Sequence, residues 1–261
     1  MKKTVFLKFV VMAAMIGAVV TFQSCATASM TGNGNLISFE RSFEPFESIS
    51  SMATADVRYY ASDEHRVVVT VNENLKEHVD IFSSKNILHI GIKKNSNGSF
   101  TKFLVEVYSP TLKSVVLIGS DNFEGNIEER EFSASIIGSG DIIVTGASEE
   151  LKVNIAGSGD FKGNGFYTKN TSVNIAGSGD VSITGASEEL KVNIAGSGDF
   201  KGNQFKTNNT SVNITGSGDA AVNVENKLNV NITGSGKVRY RGETTDVITL
   251  VTSSGKVKKV N

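Results

Sequence analysis

Gly-Ser-Gly-Asp occurs five times, at residues 138–141, 157–160, 177–180, 196–199 and 216–219. Degenerate copies extend the series at Gly119-Ser120-Asp121 before it, and at Gly234-Ser235-Gly236-Lys237 and Ser253-Ser254-Gly255-Lys256 after it. Successive starts lie 19, 19, 20, 19, 20, 18 and 19 residues apart. A unit of that length cannot bury its own apolar face, so a chain built this way folds as stacked units that depend on their neighbours. A second period lies over the first. Residues 138–176 and 177–215 are both 39 residues long and differ at only seven positions, a tandem duplication of a two-coil unit.

Counting from each Gly-Ser start gives the shape of the unit. Two residues before it stand Leu117, Ile136, Ile155, Ile175, Ile194, Ile214, Ile232 and Val251. Four before it stand Val115, Ala134, Val153, Val173, Val192, Val212, Val230 and Thr249, and between them Asn154, Asn174, Asn193, Asn213 and Asn231. Apolar, polar, apolar at period two is a strand with one buried face. A second apolar column follows each turn: Ile142, Phe161, Val181, Phe200, Ala220, Val238 and Val257. Each unit therefore predicts strand, tight glycine turn, second strand and looser turn. Parallel stacking at about 4.8 Å makes eight such coils a rod of roughly 38 Å.

The interior columns also compensate in volume, as close packing requires. Coils with Phe161 and Phe166, or Phe200 and Phe205, carry Gly163 or Gly202 between them. Their neighbours carry Ile142, Val144 and Ala147, or Val181, Ile183 and Ala186, all read as interior. The fold predicted is all-β: a right-handed single-chain parallel β-helix with coils of 19–20 residues, right-handed crossovers being the strong default. Lys237, Lys256, Lys258 and Lys259 mark the last coils, where lysine discourages edge pairing. Residues 36–115 lack the repeat but keep strand alternation, as in 66–71, 87–92 and 103–108. They predict longer, irregular capping coils, with residues 116–261 forming the regular part of one domain spanning 36–261.

The N-terminus reads as an address. Lys2 and Lys3 precede an apolar run from Phe9 to Phe22, too short for the roughly 20 residues of a spanning helix. The chain's single cysteine, Cys25, follows at once, in Phe22-Gln23-Ser24-Cys25. That arrangement resembles a bacterial lipobox, with residues 1–24 a lipoprotein signal peptide and Cys25 the lipidated residue. Residues 25–35, small and polar, are the expected tether. Cleavage removes Lys2, Lys3 and Lys8 and leaves 23 basic against 27 acidic residues, a charge of −4. That balance gives no basic surplus for a nucleic-acid partner. One cysteine also excludes an intrachain disulfide and a cysteine-built metal site.

The Phe46…Ile49 start, Val67-Val68-Val69-Thr70-Val71-Asn72-Glu73-Asn74-Leu75, Ile87-Leu88-His89-Ile90 and the recurring Gly-Ser-Gly-Asp turns together resemble the auto-transporter adhesin head GIN domain family. The resemblance covers about residues 36–261. It implies a fold similar to the pectin-lyase-like β-helices, a secreted or lipid-anchored setting of the kind frequent in Bacteroidetes, and a part in adhesion. No catalytic residues carry over from it.

Little in the residues themselves points to chemistry. His65, His78 and His89 fall in the cap at no metal-ligand spacing. No helix follows the glycine turns to make a phosphate site. Asp141, Asp160, Asp180, Asp199 and Asp219 would project from successive coils, and two carboxylates about 5 Å apart resemble a glycosidase pair. An active site, however, needs unlike residues with separated pKa values, whereas this one recurs unchanged. Each aspartate is expected instead to accept backbone N–H groups of its own glycine turn, with a shared calcium ion the alternative. The outward asparagine column, with Ala156, Ala176, Ala195, Thr215 and Thr233, makes a flat polar face. Its stacked amides can hydrogen-bond along the column and stabilise the fold; the functional alternative is a surface suited to a repetitive ligand or to lateral association of copies. The tyrosines are scattered and tryptophan is absent, which speaks against aromatic stacking on glycans. The reading is a non-enzymatic, lipid-anchored cell-envelope protein, at the outer membrane, with a protein or glycan ligand and no cofactor or metal. The alternative is a polysaccharide lyase or hydrolase using the turn aspartates.

Overall fold

The computed structural model describes residues 30–94 and 98–260. They form a parallel β-solenoid of about 8 turns at a spacing of about 19 residues. The cap strands are β1 (Met30–Thr31), β2 (Leu36–Ser42), β3 (Ser48–Met52), β4 (Asp56–Ala61), β5 (Arg66–Asn72), β6 (Val79–Ser84), β7 (Ile87–Ile92), β8 (Gly98–Ser99) and β9 (Phe103–Ser109). The regular part comprises β10 (Ser114–Gly119), β11 (Asn122–Gly138), β12 (Ile142–Gly157), β13 (Phe161–Gly177), β14 (Val181–Gly196), β15 (Phe200–Gly216) and β16 (Asp219–Gly234). It ends in β17 (Lys237–Arg241), β18 (Asp246–Thr252) and β19 (Lys256–Lys259).

From β10 onward the pairing is parallel and keeps the sequence columns in register. Val153 pairs with Val173, Asn154 with Asn174, Ile155 with Ile175 and Gly157 with Gly177. Within a coil the buried residues fall into three groups. In β13 these are Phe161 and Gly163, then Phe166 and Thr168, then Thr171, Val173 and Ile175. The alternation changes phase at a corner glycine. Gly146 and Gly185 hold φ of 142° and 123°, and a Cβ on either would strike the carbonyl of the coil before. Their phase change turns Ala147 and Ala186 outward, contrary to their expected place inside, and buries Ser148 and Ser187 instead. The buried hydroxyls serve the next corner, where the Ser187 Oγ–H donates to the Glu189 carbonyl at 2.8 Å. Thr168 and Thr171 share a hydrogen bond of 2.7 Å at the same corner.

The volume exchange expected from the sequence is real, but glycine carries it. Ile127 stacks on Gly146, and Phe166 stacks on Gly185, which in turn precedes Phe205. Phe166 and Phe205 are fully buried, each beside a coil with no side chain at that station. Gly163 makes the same allowance within a coil, since a Cβ there would press on the rings of Phe161 and Phe166. Stacked phenylalanines would overfill this cross-section.

The Gly-Ser-Gly turn continues the stack rather than interrupting it. The Gly157 carbonyl accepts N–H groups from Ser178 and Gly179 of the next coil, at 2.9 and 3.2 Å. Such close approach leaves no space for a Cβ on Gly177 or Gly179, and Gly177 also sits at a φ of 135°.

The cap departs from the expected run of longer coils. β3 and β4 form a coil beneath β10 and β11, and β7 and β9 a coil beneath that, all in parallel. Below them the direction reverses. β5 runs antiparallel to β9, β6 antiparallel to β7, and β2 antiparallel to β5. Strands with one buried face, such as Val67, Val69 and Val71, pair equally well in either direction, so alternation alone does not reveal the reversal. Residues 30–35, expected within the tether, are instead bound to the cap. β1 pairs with β8, the Asn33 N–H donates to Asn74 Oδ1 at 3.0 Å, and Asn74 Nδ2 donates to the Thr31 carbonyl.

The far end is open. Val251 and Thr249 continue the inward columns in register with Ile232 and Val230, yet both are exposed because the described residues place no coil beyond them. The lysine-bearing strand β19 carries Lys256, Lys258 and Lys259, whereas β18 presents Ile248 and Leu250 to solvent.

Candidate functional site

Period-two alternation places one column of asparagines on the outer surface, and parallel register sets each above the last. Asn174 Nδ2 donates to Asn154 Oδ1 at 3.1 Å, Asn193 to Asn174 at 2.8 Å and Asn213 to Asn193 at 3.0 Å. Asn154 begins the ladder by donating to Ser135 Oγ at 3.4 Å. Each amide is held in one orientation, so the face presents a fixed row of polar groups. Beside it run Ile137, Ala156, Ala176, Ala195 and Thr215, and the small side chains leave a shallow groove of about 600 Å³ along five coils. Ile137, 50% exposed, is the large apolar group at its N-terminal end.

The aspartates form a second ladder whose bonding differs from expectation. Asp180 Oδ1 accepts the Asp199 N–H at 2.9 Å, and Asp141, Asp160 and Asp199 each do the same for the aspartate of the following coil. Asp219 accepts from Lys237 at 3.0 Å. Bonds to the aspartate's own turn are not available, because the preceding coil's glycine carbonyl already takes those N–H groups. On the outer side Lys201 Nζ meets Asp180 Oδ2 at 2.6 Å, a hydrogen bond that holds the Lys201 ammonium above its usual pKa. The Arg239 guanidinium lies 3.5 Å from Asp219 Oδ2. One oxygen of every carboxylate is thus committed to joining coils.

At the first coil the sequence is one glycine short of the motif, and the structure resolves how. Asn122 takes the ladder position, its Oδ1 accepting from the Asp141 N–H at 3.3 Å. Asp121 occupies the station of the second glycine and is fully buried. Its carboxylate accepts the N–H groups of Ala53, at 3.0 and 3.1 Å, and Ala55, at 2.9 Å. Burial pushes its pKa above the ordinary carboxylate value, although those N–H bonds pull the other way.

The histidines stand apart from both ladders. His65 packs edge-on to Phe46 and His89 stacks on Phe82, with ring centroids 5.0 and 4.7 Å apart. Among the described residues no three His, Cys, Asp or Glu side chains come together to hold a metal ion, and no helix is long and apolar enough to cross a membrane. Cys25 and residues 1–24 lie outside the described residues. The tyrosines are less scattered than they look in sequence, since Tyr60 and Tyr108 stack with centroids 5.1 Å apart.

A family described as "Putative auto-transporter adhesin, head GIN domain" matches residues 45–184 and, in a second overlapping match, 138–244. The chain belongs to this family. The two head GIN matches overlap across residues 138–184, as expected of a chain whose coils repeat. Three solved structures share its fold over nearly their full length. A protein from Parabacteroides distasonis described as a "Putative lipid binding protein" has a TM-score of 0.84 at 26% identity, covering 89% of this chain and 99% of that one. A "putative adhesin" from Parabacteroides merdae has a TM-score of 0.83 at 26% identity, with the same coverage. Another "putative adhesin" from Parabacteroides distasonis has a TM-score of 0.82 at 28% identity, covering 88% and 99%. No curated protein matches the chain.

Proposed function

We propose that this head GIN domain protein is a non-enzymatic adhesion protein of the cell envelope, tethered through lipidated Cys25, and that the asparagine face makes the contact. The observation that carries this reading is the groove of about 600 Å³ beside the amide ladder. A row of oriented amides flanked by alanines offers an extended partner the same donors and acceptors at every coil, without side-chain entropy to lose on binding. The aspartates support a structural role, because each equivalent carboxylate is spent on the next coil and none is set apart as acid or base. The leader read in the sequence and the family's adhesin description support placement at the outer membrane.

Ala176→Arg combined with Ala195→Arg fills the groove without touching the core. Attachment of the protein to mucin-, fibronectin- or collagen-coated surfaces should fall by about tenfold while the melting temperature holds. Attachment unchanged on every coating that binds the wild type would remove this face from the adhesion site.

A further inference from the structure

We propose that the cap carries a second, separate site, which binds neutral pyranose rings where the Tyr108–Tyr60 stack opens beside Asn126. The fold-back of the cap assembles this column from distant segments. Arg66, Tyr108 and Tyr60 are successive partners across β5, β9 and β4. The Arg66 guanidinium lies 4.0 Å over the Tyr108 ring, and the Tyr60 ring follows, 5.1 Å further and within 20° of parallel. One face of Tyr60 is thereby covered. On its other side the pairing of β4 with β11 ends at Tyr59 and Gly125, one residue short of Tyr60. The stations beyond belong to Asn126 and Thr145, too short to continue the stack. A depression of about 530 Å³ lies there, lined by Arg58, Tyr60, Glu124, Asn126, Ile143 and Thr145.

A ligand for this space must present a flat face to an aromatic ring and hydrogen-bonding groups around its edge. A pyranose does both: its axial C–H groups pack on Tyr60 as apolar surface, and its hydroxyls donate and accept by turns. Arg58 and Glu124 are partners in register, which sets a guanidinium donor beside a carboxylate acceptor, and the Asn126 amide supplies both. Opposite charges side by side give no field to collect a polyanion, so the sugar is neutral. An adjoining depression of about 330 Å³ shares Arg58, Glu124 and Ile143 and leads on to Asp141, so a short oligosaccharide fits better than a single ring. The site lies on the side formed by β4, β9 and the first half of β11, whereas the asparagine ladder stands on the later half of each coil. Neither reading depends on the other.

The test is saturation-transfer-difference NMR of the intact protein with cellohexaose, mannohexaose and N-acetylchitohexaose in turn. At least one should receive saturation through its pyranose C–H protons. Tyr60→Ala should then weaken its binding by about tenfold, and Tyr60→Phe by less than about twofold, since stacking survives without the hydroxyl. Asn126→Tyr, which carries the stack into the station that Asn126 holds, should abolish binding with the melt unchanged. The proposal is overturned if none of the three sugars binds, or if binding survives both Tyr60→Ala and Asn126→Tyr. Loss confined to Ala176→Arg would assign the sugar to the asparagine face and overturn it equally.

Discussion

Asp121 and Asn122 show how much one replaced glycine alters. The motif Gly-Ser-Gly-Asp sends its carboxylate outward to the next coil; Gly-Ser-Asp-Asn gives that task to an amide and buries the carboxylate under the Ala53–Ala55 corner. Sequence alignment by the Gly-Ser start sees only a degenerate copy, because the direction of a side chain depends on which backbone station it occupies. Asp121→Ala leaves the Ala53 and Ala55 N–H groups without acceptors, and should lower stability by about 2–4 kcal/mol in urea unfolding. The raised pKa of Asp121 also makes a signed prediction. The native state holds this proton more tightly than the unfolded chain, so the associated stability is complete below the ordinary carboxylate pKa and disappears as pH rises through the raised value. Wild type measured against Asp121→Asn across the acid range should therefore lose ground with rising pH in that window; a flat difference would contradict the burial. In the outer ladder, Asp160→Ala should cost about 1 kcal/mol and Asp160→Asn less, since Asn retains the acceptor oxygen for the Asp180 N–H. Millimolar calcium at fixed ionic strength should leave the melting midpoint in place, whereas a cation shared between carboxylates would raise it.

At the scale of the strand and the coil, most of the regular part was legible in the sequence. The inward columns, the asparagine column and the register all follow from one period, because in a parallel stack identical residues must meet. The corner did not follow. Ala147 and Ala186 look like core residues by spacing alone, and only a left-handed glycine just before them, Gly146 or Gly185, reverses the alternation. The glycine turn makes the sharper test of coil-to-coil contact. Gly179→Ala sets a methyl against the Gly159 carbonyl and the Ile155 side chain, so the coils must part, at a cost of about 1–3 kcal/mol. Gly91, which has no left-handed φ and whose absent Cβ would make only ordinary contacts at 3.7 Å and beyond, is the control for crowding. Equal effects at the two sites would mean that the close stacking of the turns is not what selects glycine. The cap was the least legible element. Tyr60 and Tyr108 become neighbours only because β5 and β6 run back beneath the coil of β7 and β9, and no local pattern encodes that path.

The whole molecule is a scaffold with two different ends. Antiparallel strands close the cap, while the last described coil leaves Leu250 63% exposed and, among the described residues, no coil covers Val251. Cys25 stands before the closed end, so an anchor there would hold the cap nearer the membrane and the open coils farther out. Cys25→Ala should release the protein from membrane pellets and abolish fatty-acid labelling; a membrane fraction that does not change would refute the anchor. Between the ends, the coils that carry both ladders are near copies, and interchangeability is what the account requires of them. Deleting residues 177–215 removes two whole coils and joins Ala176 to Gly216, the station that Gly177 held. Deleting only residues 177–186 breaks every column beyond the junction. Urea unfolding of both, followed by circular dichroism, is the direct measurement. The first deletion should give a shorter protein with one cooperative transition, and the second should lose cooperative folding. Two deletions that behave alike would contradict the solenoid of interchangeable coils.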